Sequence, residues 1–389
     1  MSLNKKTFRT GSSVGFQGAA FTYDGVGTSG SVTVTTQMEP DVVFVFPNDE
    51  NDMNSRGNYI FDKRLAGENE TFQLQTQTTA RTARQNNNFM TWNSDGFTLI
   101  GRSTFSGSYK PEEYCNKSGA KYCGMAFVTN SASTTNNNGN VTSTVYHNAE
   151  GNFSKVLFTS NGNGTTVGHG LSVTPDFIQF VRVKSTLAQG SSEESKSGNS
   201  IYDDNTSAFR GATGGADDLW ARPLDSGSGM ATADSTKVTV GGTDNVGAEN
   251  GKEYIMYCWA KKAGWWDREG YTGNGSTSSR TVLTCDFDPI VTMIGSPHDM
   301  VAFHINRRNS GTPGTGSPQW DNVNLSDETK GGINLYDNDT RVDLGSGGNV
   351  FANHSSNTFV TRSSNSTVNG SSRSHVCFAW GGDLFYYVA

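Results

Sequence analysis

The chain has 389 residues, enough for two or three domains that each bury a core. Only 17% of its residues are charged, the net charge is −7, and no apolar stretch approaches bilayer length, so neither nucleic acid nor membrane insertion is expected. The apolar fraction is a low 33%, yet 11% aromatic residues exclude a disordered chain and point to many short strands between polar turns.

The first 14 residues form a basic arm with Lys5, Lys6 and Arg9 and no following apolar h-region, so they do not read as a secretory signal. Gly11-Ser12-Ser13-Val14-Gly15 formally matches GxSxG, but a nucleophile elbow needs a strand before it and a helix after it, and the arm offers neither. From residue 15 a pattern begins that recurs twice more, and such internal periodicity governs the reading of the whole chain.

The first copy, 15–131, opens with Phe21-Thr22-Tyr23-Asp24-Gly25 and continues with a proline-led strand, Pro40-Asp41-Val42-Val43-Phe44-Val45. An aromatic-Asp pair (Phe61-Asp62), a short strand (Phe97-Thr98-Leu99) and a closing apolar run (Tyr122 to Val128) follow. Residues 132–151 form a polar connection, in which alternation over Val141 to Tyr146 allows a strand. The second copy, 152–262, repeats the order: Phe158-Thr159-Ser160-Asn161-Gly162, Pro175-Asp176-Phe177, Tyr202-Asp203, Val238-Thr239-Val240 and Tyr254 to Ala260. The third, 263–389, shows Tyr271-Thr272-Gly273-Asn274-Gly275, Pro289-Ile290-Val291, Trp320-Asp321, Phe359-Val360-Thr361 and His375 to Ala379, the last laid on the final five positions of the second copy's closing run. Opener and proline are separated by 19, 17 and 18 residues.

Asn-Gly at 161, 250 and 369 and Asp-Gly at 24 and 95 supply the positive φ angles of tight hairpins. The fold class expected is all-β: three tandem antiparallel β-sandwich domains, jelly-roll-like, joined by short linkers. Phe177 to Val181 and Tyr254 to Ala260 are apolar on both faces and read as central strands.

Chemistry is sparsely signalled. The five cysteines, Cys115, Cys123, Cys258, Cys285 and Cys377, contain no CxxC pair and read as buried thiols, with a Cys115–Cys123 loop bridge as the alternative. The six histidines have no metal-ligand spacing. Glu112-Glu113, Asp203-Asp204 and Asp217-Asp218 could in principle serve a glycosidase, but neighbours on a strand point to opposite faces. Asp337-Asn338-Asp339 resembles part of a calcium loop without its Gly and terminal Glu, and reads better as an Asx turn. No catalytic residue, metal ligand or cofactor is expected. Trp220, Trp265 and Trp266 are candidates for stacking on a surface sugar; packing between domains is the favoured reading for the last two and a loop anchor for the first.

Laid out this way, the chain resembles a family of virion structural proteins of marine tailed bacteriophages, cyanophages and their relatives. The resemblance rests on Tyr271 to Gly275, on Gly168-His169-Gly170-Leu171-Ser172-Val173-Thr174-Pro175-Asp176, on Tyr254 to Ala260 and on Cys377-Phe378-Ala379. Copy one departs most, lacking the Gly-His-Gly-Leu step. The resemblance implies a β fold, assembly in the host cytoplasm and release in the virion by lysis, and carries no catalytic residue. The function expected is a tail fibre or tail appendage contacting the host surface, with capsid decoration or a head-tail role as the alternative and a polysaccharide-degrading tailspike as a further one. Expected partners are further copies in a homotrimer, other virion proteins through the basic arm, and host surface polysaccharide.

Overall fold

The computed structural model describes residues 17–27, 30–47, 59–63, 71–73, 83–85, 90–100, 115–129, 132–150, 152–183, 197–203, 208–213, 231–241, 247–278, 280–287, 289–295, 300–308, 320–322, 333–334, 351–352, 358–361 and 369–388. The fold is all-β, and one order of strands occurs three times. In each instance the closing strand (Lys121–Phe127, Glu253–Trp259, Ser374–Gly381) runs between an opening strand and the proline-led strand, antiparallel to both. The opening strands are Gly18–Asp24, Phe153–Thr159 and Trp266–Thr272; the proline-led strands are Val42–Pro47, Phe177–Val183 and Pro289–Gly295. A fourth strand flanks each proline-led strand, namely Tyr59–Asp62, Ser197–Asp203 and Met300–Arg308. A separate three-stranded sheet accompanies each set, centred on Gly96–Ile100, Lys237–Val240 and Thr358–Thr361.

Alternation along the closing strands decides how these sheets pack. Tyr122 and Ala126 face the small sheet of their own unit, together with Val32, Val34, Phe97 and Leu99. Tyr254, Met256 and Cys258 do the same in the second unit, and Cys377 and Ala379 in the third. Each unit is therefore a β-sandwich. The intervening residues face the other way, into one cluster that draws on all three units: Cys123, Met125 and Phe127, then Ile255, Tyr257 and Trp259, then Val376, Phe378 and Trp380. The large sheets are thus covered on both faces, which is why their central strands carry almost no polar residues.

Phe127, Trp259 and Trp380 hold the same place in the three sheets, each opposite the first residue of its opening strand. Their rings meet pairwise, with centroids 5.8 Å (Phe127 to Trp259), 6.2 Å (Phe127 to Trp380) and 6.4 Å (Trp259 to Trp380) apart. These are aromatic contact distances, and the arrangement gives the chain an internal threefold hub.

The position across from the hub ring also recurs, as Phe153 and Trp266, but in the first unit it is Gly18. The missing ring comes from the end of the chain. Phe385–Val388 pairs in parallel with Gly18–Phe21, and Phe385, 2% exposed, enters the shared cluster 6.2 Å from Phe127. A Cβ on Gly18 would stand 2.7 Å from the Phe385 ring, so only glycine leaves room for this substitute. The connection contributes likewise: Thr134–Asn136 and Ser143–Asn148 extend the second sheet beyond its opening strand.

Register corrects three alignments made from sequence. The first copy's opener is Tyr23-Asp24-Gly25-Val26-Gly27, since Tyr23, Phe158 and Tyr271 sit opposite the equivalent Tyr122, Tyr254 and His375. In the third closing strand Trp380, and not Phe378, is the counterpart of Trp259, so Cys377 is equivalent to Met256 and not to Cys258. Both slips are of two residues. Trp320-Asp321 belongs to a fifth strand, Trp320–Asn322, paired with Met300–Arg308, so it is not the counterpart of Phe61-Asp62.

Phe385→Ala should lower the unfolding free energy by about 3–5 kcal/mol, the usual cost of emptying a buried phenylalanine site. Urea denaturation checks this; an unchanged midpoint would mean that the carboxyl-terminal strand does not complete the core.

Candidate functional site

Two charge pairs bridge neighbouring units. Lys155 is the third residue of the second opening strand, opposite Tyr257. Asp62 ends the fourth strand of the first unit, opposite Val42. Lys155 Nζ lies 2.5 Å from Asp62 Oδ1, and neither side chain has any exposed area. The Tyr257 hydroxyl donates to Asp62 Oδ2 at 2.9 Å, and the Tyr146 ring lies 4.7 Å from the ammonium. Burial, and after it the charge of Asp62, hold the Tyr257 phenol well above its ordinary pKa, so it remains a donor. Removing one member of such a pair strands a charge, which makes the node a determinant of how the first two units dock.

The same position in the third opening strand is Arg268, and it too reaches the preceding unit. Its Nε and Nη2 donate to Asp176 Oδ1 at 2.9 and 2.7 Å. Asp176 Oδ2 meanwhile accepts the Lys261 N–H at 2.7 Å, just past the closing strand. Asp41 repeats this second role in the first unit, accepting the Thr129 N–H at 2.7 Å. The Asp after each of these two prolines therefore clasps the end of its own closing strand. In the first opening strand the position of Lys155 and Arg268 is Ala20, and there Phe385–Val388 replaces the ion pair.

Far from the hub, each opening strand ends in a turn. Gly27, Gly162 and Gly275 occupy one equivalent position with φ of 83°, 106° and 64°, a region that side chains with a Cβ rarely adopt. Two of these turns are held by a buried asparagine. Asn116 Oδ1 accepts the Val26 N–H at 2.9 Å, and Asn369 Oδ1 accepts the Asn274 N–H at 3.0 Å. Asn369 Nδ2 also donates to Asn274 Oδ1 and to the Ser276 carbonyl. In the second copy Ala248 stands in this place, and Ser160 and Thr165 tie the turn instead, through a 3.0 Å hydroxyl contact and the Gly162 N–H. The outermost residues, Val26, Asn161 and Asn274, are exposed.

His169, from the Gly-His-Gly-Leu step, is fully buried. Its Nδ1 accepts the Leu171 N–H at 3.1 Å and its Nε2 lies 3.0 Å from the Asp234 carbonyl, so it braces two loops. Burial lowers its pKa, opposed by the Asp234 carbonyl. Burial likewise lowers that of His147.

Of the three stacking candidates, two lie in the core, where the preferred reading of the sequence put them. Trp265 and Trp266 are both 0% exposed and belong to the shared core, so neither offers a face to a ligand. Trp220 lies outside the described residues, as do the basic arm, Gly11 to Gly15, Glu112-Glu113, Asp204, Asp217-Asp218 and Asp337 to Asp339. All five cysteines are buried and free. Among the described residues no three His, Cys, Asp or Glu side chains are grouped to hold a metal, and no helix is long and apolar enough to cross a membrane. The nodes that sequence reading missed, Lys155–Asp62 and the Asn116 and Asn369 clamps, join residues about 90 positions apart.

Fold and nodes together define an all-β protein in which three sandwiches close on one aromatic core. The chain belongs to the family described as a domain of unknown function (DUF7483), whose model matches residues 16–383. That match takes in all three units, so the family's unit is the whole threefold body. No curated protein and no solved structure matches the chain.

Because His169 and His147 resist protonation when folded, the unfolded chain binds protons first as the pH falls below about 6.5. From these two groups stability should be flat between about pH 6.5 and 8 and decline below that range, while the buried thiols, raised by burial, lower it again above about pH 8.5. Urea denaturation at pH 7.5 and 5.5 measures the decline, and His169→Gln should make it shallower; an equal slope in the variant would contradict the assignment.

Proposed function

We propose that the chain is a structural protein of a bacteriophage particle, carried on the tail, where it contacts the host cell surface. The observation that carries this reading is the division of labour among its polar groups. Charge pairs join units at Lys155–Asp62 and Arg268–Asp176, while the turns remote from the hub are tied by hydrogen bonds and end in exposed Val26, Asn161 and Asn274. Such a body suits display and adhesion, since ordered loops on a stiff scaffold lose little entropy when they bind. The sequence resemblance to virion proteins of marine tailed phages supports the same reading. Host polysaccharide is the ligand proposed. A homotrimer would multiply a weak sugar contact through avidity, with the basic arm docking onto other virion proteins.

A second reading, decoration of the capsid exterior, is favoured by one feature. The chain returns its last strand to its first, giving a closed body and not a shaft. Antibody-labelled electron micrographs of particles separate the two positions.

Purified protein at saturating concentration should block adsorption of the phage that carries it to host cells. Unimpeded adsorption would contradict the host-contact reading, and release of reducing sugar from host polysaccharide would instead indicate a depolymerase.

A further inference from the structure

We propose that Lys155 and Asp62 become joined by an isopeptide bond, formed within the folded chain without a second enzyme. The two reacting groups are already in contact: Lys155 Nζ is 2.5 Å from Asp62 Oδ1, an oxygen on the carbon to be attacked, and strands of two different units hold them. Both side chains are wholly buried, beside the Tyr257, Tyr146, Phe44 and Phe153 rings. A chain that fixes an amine and a carboxyl in contact converts a bimolecular condensation into an intramolecular one, with effective concentrations on the order of 10⁵ M or more.

The step balances without an oxidant or co-reactant. A proton passes from the ammonium to the carboxylate, giving the neutral amine and acid that a water-free site favours over isolated charges. The nitrogen lone pair attacks Asp62 Cγ and the C=O electron pair moves onto Oδ2, where the Tyr257 hydroxyl donates a hydrogen bond. The tetrahedral centre then collapses. The C–Oδ1 bond breaks, the hydroxyl takes a proton from nitrogen, and one water leaves. An amide remains, shielded from hydrolysis by the same burial.

Two other pairs in the chain mark what sets this one apart. Lys261 and Asp267 are equally close, at 2.5 Å, but the lysine is 59% exposed, so its ammonium stays hydrated and charged. Arg268 occupies the position equivalent to Lys155, yet a guanidinium stays protonated and does not acylate. Among the described residues only Lys155 combines an amine, contact and exclusion of water. The bond would weld the first unit to the second at the interface where the Phe385 closure does not act.

The test is mass spectrometry of the full chain after denaturation, followed by proteolytic mapping. The proposal expects a mass lower than that of the sequence by one water, and a branched peptide carrying Lys155 and Asp62. The Lys155→Met chain should show the full mass. A wild-type chain of full mass, or a missing water located in a linear peptide that contains a cyclised aspartyl residue, would overturn it. Should the variant fail to fold, the wild-type peptide map decides alone.

Discussion

Three aromatic rings, Phe127, Trp259 and Trp380, touch pairwise at the point where the three sheets converge. The rest of the architecture follows from this contact. A sheet that must cover its own small sheet on one side and the hub on the other can carry little polar side chain on its central strand. Each closing strand obeys this rule over its last six residues, which are buried without exception in the first two units. The hub also bears on the charge pairs at two of the seams, Lys155–Asp62 and Arg268–Asp176. A lone charge facing the core would be costly, whereas one supplied by each neighbour is compensated where the units meet.

The three seams are built differently, although the opening-strand positions that build them, Ala20, Lys155 and Arg268, are equivalent. One uses Lys155 with Asp62, one Arg268 with Asp176, and one a borrowed strand that fills the gap at Gly18. Beside the first opening strand the space is taken by Phe385–Val388. The glycine and the incoming Phe385 are two halves of one solution. The parallel strand covers the edge of the first opening strand and itself becomes the edge of that sheet.

Much of this was legible in the amino-acid sequence, and the failures have a common cause. Turn residues and alternating runs marked the strands, and the proline-led and closing strands were recognisable because burial on both faces leaves continuous apolar runs. Two of the alignments slipped by two residues, at Phe21 and at Cys377. A two-residue slip in a strand preserves which face every side chain occupies, so hydrophobic pattern alone cannot detect it. The seams were illegible for another reason. Lys155 and Asp62 are 93 positions apart, and a lysine or an aspartate in a strand looks solvent-facing until its neighbour is known. Asn116 and Asn369 hid in the same way, as ordinary polar loop residues. Trp265-Trp266 were more legible: a pair of large aromatics in a short linker read in preference as packing between units, and both lie in the shared core.

If one core holds all three units, the body should unfold as a whole. Scanning calorimetry of the intact chain measures this most directly. A single transition whose calorimetric enthalpy equals its van't Hoff enthalpy is the expected result. Two or three separate transitions, each with the enthalpy of one sandwich, would show that the units are independent domains and that the aromatic hub does not bind them.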